Sequence, residues 1–191
     1  MRKVLIISGP IGAGKTVACK HIMSKGYEYI NSDNLAKNII RQSTLIHKKI
    51  NTLMNENINF SKRVPWKKIR NFVFESKNNK LCYDKIIHPV FYKKLNEIMK
   101  YQKSDMVIEI PLIETIKSIK NEFILITLLS RLNLRSERAL KKNKIDKKSF
   151  DNINKFQMSN KFYTNNSDYV IHNNSDIVMM KKKLNQILSK I

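Results

Sequence analysis

Acidic residues are scarce in this chain. Only 15 Asp and Glu stand against 37 Lys and Arg, giving a formal net charge of +22 over 191 residues. Such an imbalance is usually read as a surface for nucleic acid, for an anionic membrane or for a polyanionic substrate. Arginine is scarce too, with 7 Arg against 30 Lys, and the lysines run along the whole chain in company with abundant Asn and Ile. These three residue types have A/T-rich codons, so base composition accounts for the excess without a nucleic-acid role. An arginine-rich stripe and an RNA-recognition aromatic motif are both missing, which argues against a nucleic-acid partner. Most of the lysines are expected to be solvated, with some facing phosphates.

Cysteine is rarer still. Cys19 and Cys82 lie far apart, with no C-x-x-C spacing and no metal-site pattern, and read as free thiols in a reducing compartment. Long apolar runs are absent: nothing approaches the ~20 residues that would span a bilayer. The opening "KVLII" is five residues long and leads straight into a glycine-rich loop, so it does not read as a secretory signal. A cytoplasmic protein without a membrane partner is expected. The hydrophobic content of 42% and charged content of 27% are those of an ordinary globular chain. The length fits one domain, or a core with inserted helical pieces, and shows no internal repeat or flexible linker.

Glycine numbers four, and three of these, Gly9, Gly12 and Gly14, fall in "SGPIGAGKT" at 8–16. Gly9, Gly14, Lys15 and Thr16 satisfy the phosphate-loop pattern G-x-x-x-x-G-K-[ST]. Glycine lets such a backbone take positive φ and turn its N–H groups on a phosphate, and the following helix N-terminus adds partial positive charge. The whole stretch Gly9, Pro10, Ile11, Gly12, Ala13, Gly14, Lys15 and Thr16 is therefore expected to bind ATP. Lys15 would reach the β/γ oxygens, and the Thr16 hydroxyl would be a ligand for Mg²⁺.

Residues 3–8 read as a buried parallel strand, and 15–25 as a helix closed by Gly26. "YEYIN" is a short second strand, and Ser32 or Asp33 can cap a helix through "NLAKNIIR". Residues 44–104 read as polar and helical, with breaks at Pro65 and Pro89. "DMVIEI" and "EFILITLL" are buried strands. A basic segment, 131–150, precedes a helix to about 163, and "DYVIHN" is a last strand before a closing basic helix. Strands alternating with helices predict an α/β fold, a three-layer parallel sheet of a phosphate-loop kinase. Its core would comprise 1–43, 105–130 and 164–191, with a helical insertion at 44–104 and a lid at 131–163 that closes to exclude water.

Asp33 follows the second strand, where parallel α/β sheets place their ligands. Taken alone it is either a helix cap or a general base for an attacking hydroxyl. "NKID" at 143–146 fits the guanine-reading N-K-x-D tetrad but sits in a charged helical stretch instead of at a strand end. It is read as a chance match.

Together these motifs resemble the dephospho-CoA kinase family over almost the whole chain. The family's G-x-I-G-[SA]-G-K-[ST]-x-[VA]-[AC] aligns with Gly9 to Cys19. Its D-A-D-x-[IL]-A-[RK] resembles "NSDNLAK", which puts the family's catalytic aspartate on Asp33. Its V-F-x-D…L-E-x-I-x-H-P resembles "VFESKNNKLCYDKIIHPV", matching Val73, Phe74, Ile86, His88 and Pro89. Pro111, Leu112 and Ile113 stand for its P-L-L. Arg138, Lys142 and Gln157 keep the intervals of its lid, and "SDYVIHN" resembles its final A-D-x-V-I-x-N.

The resemblance implies ATP-dependent phosphorylation of the ribose 3′-hydroxyl of dephospho-CoA. Asp33 would take the hydroxyl proton, while Lys15, Mg²⁺ and Arg138 would neutralise the transferring phosphoryl group. The insertion containing His88 would hold the acceptor, and Lys142 and Asn173 would belong to the ATP site. The residues alone leave His88 as an acceptor contact or a structural histidine, and Asn173 as an adenine contact or a turn residue. Departures from the family are Lys142 for a second lid arginine, Trp66 for an arginine, Asn160 for a basic position and an early Glu114. A kinase of nucleosides or nucleotides and a basic nucleic-acid-binding NTPase are the competing readings.

Overall fold

The computed structural model describes residues 2–60, 64–143 and 145–191, the side chains of residues 142 and 143 excepted. By packing, the chain divides into two compact units, one of 1–32 with 102–191 and one of 33–101.

The first unit is a five-stranded sheet in the order β2-β3-β1-β4-β5. Its strands are β1 (Val4–Ser8), β2 (Glu28–Asn31), β3 (Met106–Glu109), β4 (Ile124–Leu129) and β5 (Tyr169–His172). Every pairing is parallel. The central strands β1 and β3 are buried along their whole length, as expected where both sheet faces are covered. Leu5, Ile7, Val107, Ile126, Leu128 and Ile171 point to one face. There they meet Ala18, Cys19 and Ile22 of α1 (Lys15–Met23) and Met180, Leu184 and Ile187 of α9 (Ile177–Leu188). On the other face α8 (Asn160–Asn165) lies against β4, with the Ser167 hydroxyl just beyond it donating to Thr127 Oγ1 at 2.7 Å. The expected α/β parallel sheet is therefore present.

The segment between β4 and β5, read as a basic stretch at 131–150 and then a helix to about 163, holds three helices: α6 (Leu132–Asn143), α7 (Lys147–Lys155) and α8. The boundaries follow local caps. Asp146 accepts from the N–H of Ser149, and Ser159 from that of Phe162. The aspartate of "NKID" is thus a helix cap.

The second unit contains α2 (Ser32–Gln42, from Asp33 onward), α3 (Thr44–Met54), α4 (Trp66–Val73) and α5 (Lys77–Tyr101). It begins at Asp33, before the expected boundary at 44, so α2 groups with the inserted helices. Helices α3 and α4 pack on α5. The apolar stripe of α5 is Ile87, Phe91, Leu95 and Met99, repeating every fourth residue. Pro89 lies inside α5, and the break expected there does not occur. Proline leaves the carbonyl of Lys85 without its helical donor, a cost of about 3 kcal/mol. The burial of Ile87 and Phe91 on either side offsets it.

Candidate active site

The phosphate loop joins the end of β1 to α1, and its glycines are required by both conformation and space. Gly9, Gly12 and Gly14 have φ of 136°, 78° and 105°. A Cβ on Gly9 would stand 2.2 Å from the carbonyl oxygen of Leu128, and one on Gly14 would stand 2.5 Å from Asn173 Nδ2. Gly14 is the residue before α1 and offers no side-chain cap, so the partial positive charge of that helix end faces the loop without a capping side chain. Lys15 is buried, and its Nζ donates to the carbonyls of Gly9 at 2.7 Å and Pro10 at 3.1 Å. The ammonium is thus held within the arch of the loop.

Three side chains grip the loop from outside. Gln157 Oε1 accepts from the N–H of Ile11 at 2.9 Å, and Arg135 Nη1 donates to the carbonyl of the same residue at 3.3 Å. Asn173 Nδ2 donates to the carbonyl of Ala13 at 2.8 Å. The buried Asn173 side chain is therefore a strut of the loop. Arg135 is 7% exposed, and burial lowers its guanidinium pKa. Its other acceptors are the Ser130 carbonyl and Asn154 Oδ1. Neither Arg135 nor Gln157 as a partner of Ile11 was legible beforehand.

Arg138 reaches the carboxyl ends of β4 and β5. Its guanidinium donates to the carbonyl of Asn173 at 2.9 Å, to Ser130 Oγ at 3.2 Å and to the carbonyl of Ser175 at 3.3 Å. The Lys142 side chain lies outside the described residues. Glu114 falls in a short 3-10 turn, Ile113–Ser118, directly after the Pro111–Leu112 segment.

Sequence reading missed Glu109, the last residue of β3. Its carboxylate is 7% exposed and accepts three hydrogen bonds. The Thr16 hydroxyl donates to Oε1 at 2.9 Å, while Tyr29 Oη (2.5 Å) and Asn31 Nδ2 (3.0 Å) donate to Oε2. The pairing register explains the cluster. Glu109 lies beside Ile7 on one side and Asn31 on the other, so all three point to the α1 face, where Thr16 stands in the first turn of the helix. The available signal was an acidic residue closing a buried strand.

In the second unit Asp33 is exposed in the first turn of α2. Lys37 and Arg41 follow at helical intervals, their charged groups 5.9 and 5.6 Å from the centre of the Trp66 ring. Where an arginine was expected, Trp66 instead gathers two cations from the helix that carries Asp33. His88 lies in α5 with Nε2 3.5 Å from Asp84 Oδ1, and Lys80 Nζ is 2.5 Å from the other carboxylate oxygen. Among the described residues no group of three or more His, Cys, Asp and Glu could hold a metal ion by itself.

A phosphate loop with a buried carboxylate on its threonine is common to many nucleotide-binding proteins, and comparison with known proteins narrows it. A family model for dephospho-CoA kinase matches residues 3–179. The chain belongs to the dephospho-CoA kinase family. A dephospho-CoA kinase from Fusobacterium nucleatum is 28% identical over 195 residues, covering 98% of both chains. One from a gamma-proteobacterium is 26% identical, covering 98% of this chain and 96% of the relative. The solved dephospho-CoA kinase of Campylobacter jejuni superposes with a TM-score of 0.68 at 18% identity, covering 100% of this chain and 97% of that one. At that identity the likeness speaks to the fold.

As a dephospho-CoA kinase family member, the chain is matched from β1 into α9. The matched span takes in Thr16, Asp33, His88, Glu109, Arg138 and Asn173, residues drawn from both units.

Proposed function

We propose that this protein transfers the γ-phosphoryl group of ATP to the ribose 3′-hydroxyl of dephospho-CoA, giving coenzyme A and ADP, the last step of coenzyme A biosynthesis. Family membership over residues 3–179 carries the reading. The loop geometry and the Thr16–Glu109 contact support it from the donor side.

The N–H groups of the loop and the α1 N-terminus hold the phosphates, and Lys15 leaves its carbonyl acceptors to meet the β/γ oxygens. Two hard oxygen donors, the Thr16 hydroxyl and the Glu109 carboxylate, lie side by side and fit Mg²⁺, which takes few protein ligands and completes its shell with phosphates and water. Bound there, Mg²⁺ would neutralise charge on the β/γ oxygens. Because Glu109 accepts the Thr16 hydroxyl hydrogen, the oxygen's lone pairs are turned away from the carboxylate and left for a cation.

Asp33 accepts the proton of the attacking hydroxyl. Its exposed position at the start of α2 leaves the carboxylate open to a bound ribose. Arg138, released from the carbonyls of Asn173 and Ser175, neutralises the transferring group from the lid, with Lys142 as the second lid cation. His88 contributes to the acceptor side. Most of the rate enhancement comes from positioning and electrostatics. The setting is the cytoplasm, a reading in keeping with two free cysteines and with no described helix long and apolar enough to cross a membrane.

A coupled ADP-release assay tests the proposal by setting dephospho-CoA against a panel of nucleosides and nucleoside monophosphates. Dephospho-CoA should be the one efficient acceptor. Turnover of the panel without turnover of dephospho-CoA would overturn the reading.

A further inference from the structure

Glu109 is more heavily constrained than a carboxylate that merely fills a sheet edge. Oε1 receives the Thr16 hydroxyl from α1, and Oε2 receives two donors from β2, Tyr29 Oη at 2.5 Å and Asn31 Nδ2 at 3.0 Å. The same Asn31 amide nitrogen lies 3.0 Å from Tyr29 Oη, so the three groups form a closed triangle behind the carboxylate. Register dictates the arrangement. Tyr29 and Asn31 are alternate residues of a strand paired in parallel with β3, and their side chains rise from the same sheet face as Glu109. A carboxyl group on a residue buried to 7% exposure needs such donors, and two from one strand fix its orientation.

We propose that Tyr29 and Asn31 are positioning residues for the donor site: they fix the Glu109 carboxylate so that it orients the Thr16 hydroxyl toward the metal of the nucleotide complex. The inference rests on the reading of Thr16 and Glu109 given above. Tyr29 and Asn31 both donate to Oε2 of Glu109, and their effect passes through that atom. Removing the tyrosine hydroxyl frees one side of the carboxylate, which then has a second rotamer available. Replacing the Asn31 amide by a carboxylate turns a donor into an acceptor and sets a like charge 3.0 Å from Oε2. Asn31 is also the last residue of β2, so the strand end held by Glu109 is the one that leads into the turn carrying Asp33.

The test uses the full chain and two variants, Tyr29→Phe and Asn31→Asp. ADP affinity is measured by calorimetry in EDTA, and Mn²⁺ affinity for the preformed ADP complex by electron paramagnetic resonance. Outer-shell partners of metal ligands typically change metal affinity by about tenfold or more. Each variant should therefore lose roughly tenfold in Mn²⁺ affinity, Asn31→Asp the more severely, while ADP binding in EDTA stays within about twofold. Mn²⁺ affinity unchanged in both variants would overturn the proposal. So would an equal fall with and without metal, which is the mark of a merely structural role. A wild-type chain that fails to phosphorylate dephospho-CoA, yet shows the Mn²⁺ losses in its variants, would count against the acceptor assigned above and in favour of this inference.

Discussion

The backbone carbonyl oxygen of Arg135 lies 2.1 Å from the point where a Cβ on Gly12 would stand. Helix α6 therefore closes on the phosphate loop at its second glycine, and side chains of the same segment hold the neighbouring Ile11. The obstacle is backbone and cannot rotate away. Gly12→Ala also meets a φ of 78° that a side chain disfavours. The variant should bind ADP about 5- to 150-fold more weakly, since strain of about 1–3 kcal/mol acts on the loop itself. Calorimetric titration with ADP checks this, with circular dichroism confirming that the sheet is intact.

Asn173 supplies a second support. Asn173→Ala leaves the Ala13 carbonyl without its donor in a buried position, a loss of about 1–3 kcal/mol. Stability in urea should fall by that amount, and the KM for ATP should rise with little change in the KM for dephospho-CoA. A rise confined to the acceptor would show that the strut does not serve the loop.

The phosphate loop, the alternation of strands and helices and the place of Asp33 after β2 are all legible in the sequence, because each is a local pattern. Glu109 was not. Its meaning depends on the parallel register of β3 with β1 and β2, which sets Tyr29, Asn31 and Thr16 around it although Thr16 is 93 residues away in the chain. Arg135 was hidden for a similar reason, since its acceptor on Ile11 is 124 residues distant. Pro89 misled because a local rule was applied to a helix whose buried stripe outweighs it. Only the fold shows the Asn173 amide turned inward on the loop, since its acceptor on Ala13 is 160 residues away.

Asp33→Asn keeps the size of the side chain and removes its basicity. General-base catalysis is worth about 10²–10⁴-fold, so phosphoryl transfer should fall by that factor. ATP binding should be unchanged. Steady-state rates beside an ATP titration of the variant decide the matter, and near-normal turnover would remove Asp33 from the general-base role.

Cys19 offers a pH-dependent prediction. Burial, then the nearby Glu109 carboxylate, raise its thiol pKa well above 9.0, with Lys15 opposing them. Its folded pKa exceeds the unfolded one, so its contribution to stability is full below about pH 9 and declines as pH rises beyond it. Tyr83, whose pKa is pushed up to about 12 by burial and then by Asp84, acts in the same direction at higher pH. Urea midpoints should fall from pH 9 upward. A thiol reagent at pH 8 should modify Cys82 rapidly and Cys19 only after unfolding.

The atom that receives the phosphoryl group distinguishes this kinase from every alternative. Incubation with Mg²⁺, ATP and dephospho-CoA, followed by phosphorus–proton NMR of the product, reads that atom directly. The expected result is a new monophosphate coupled to the ribose H3′, formed in step with ADP. A product carrying phosphate on another hydroxyl, or ADP released with inorganic phosphate alone, would contradict it.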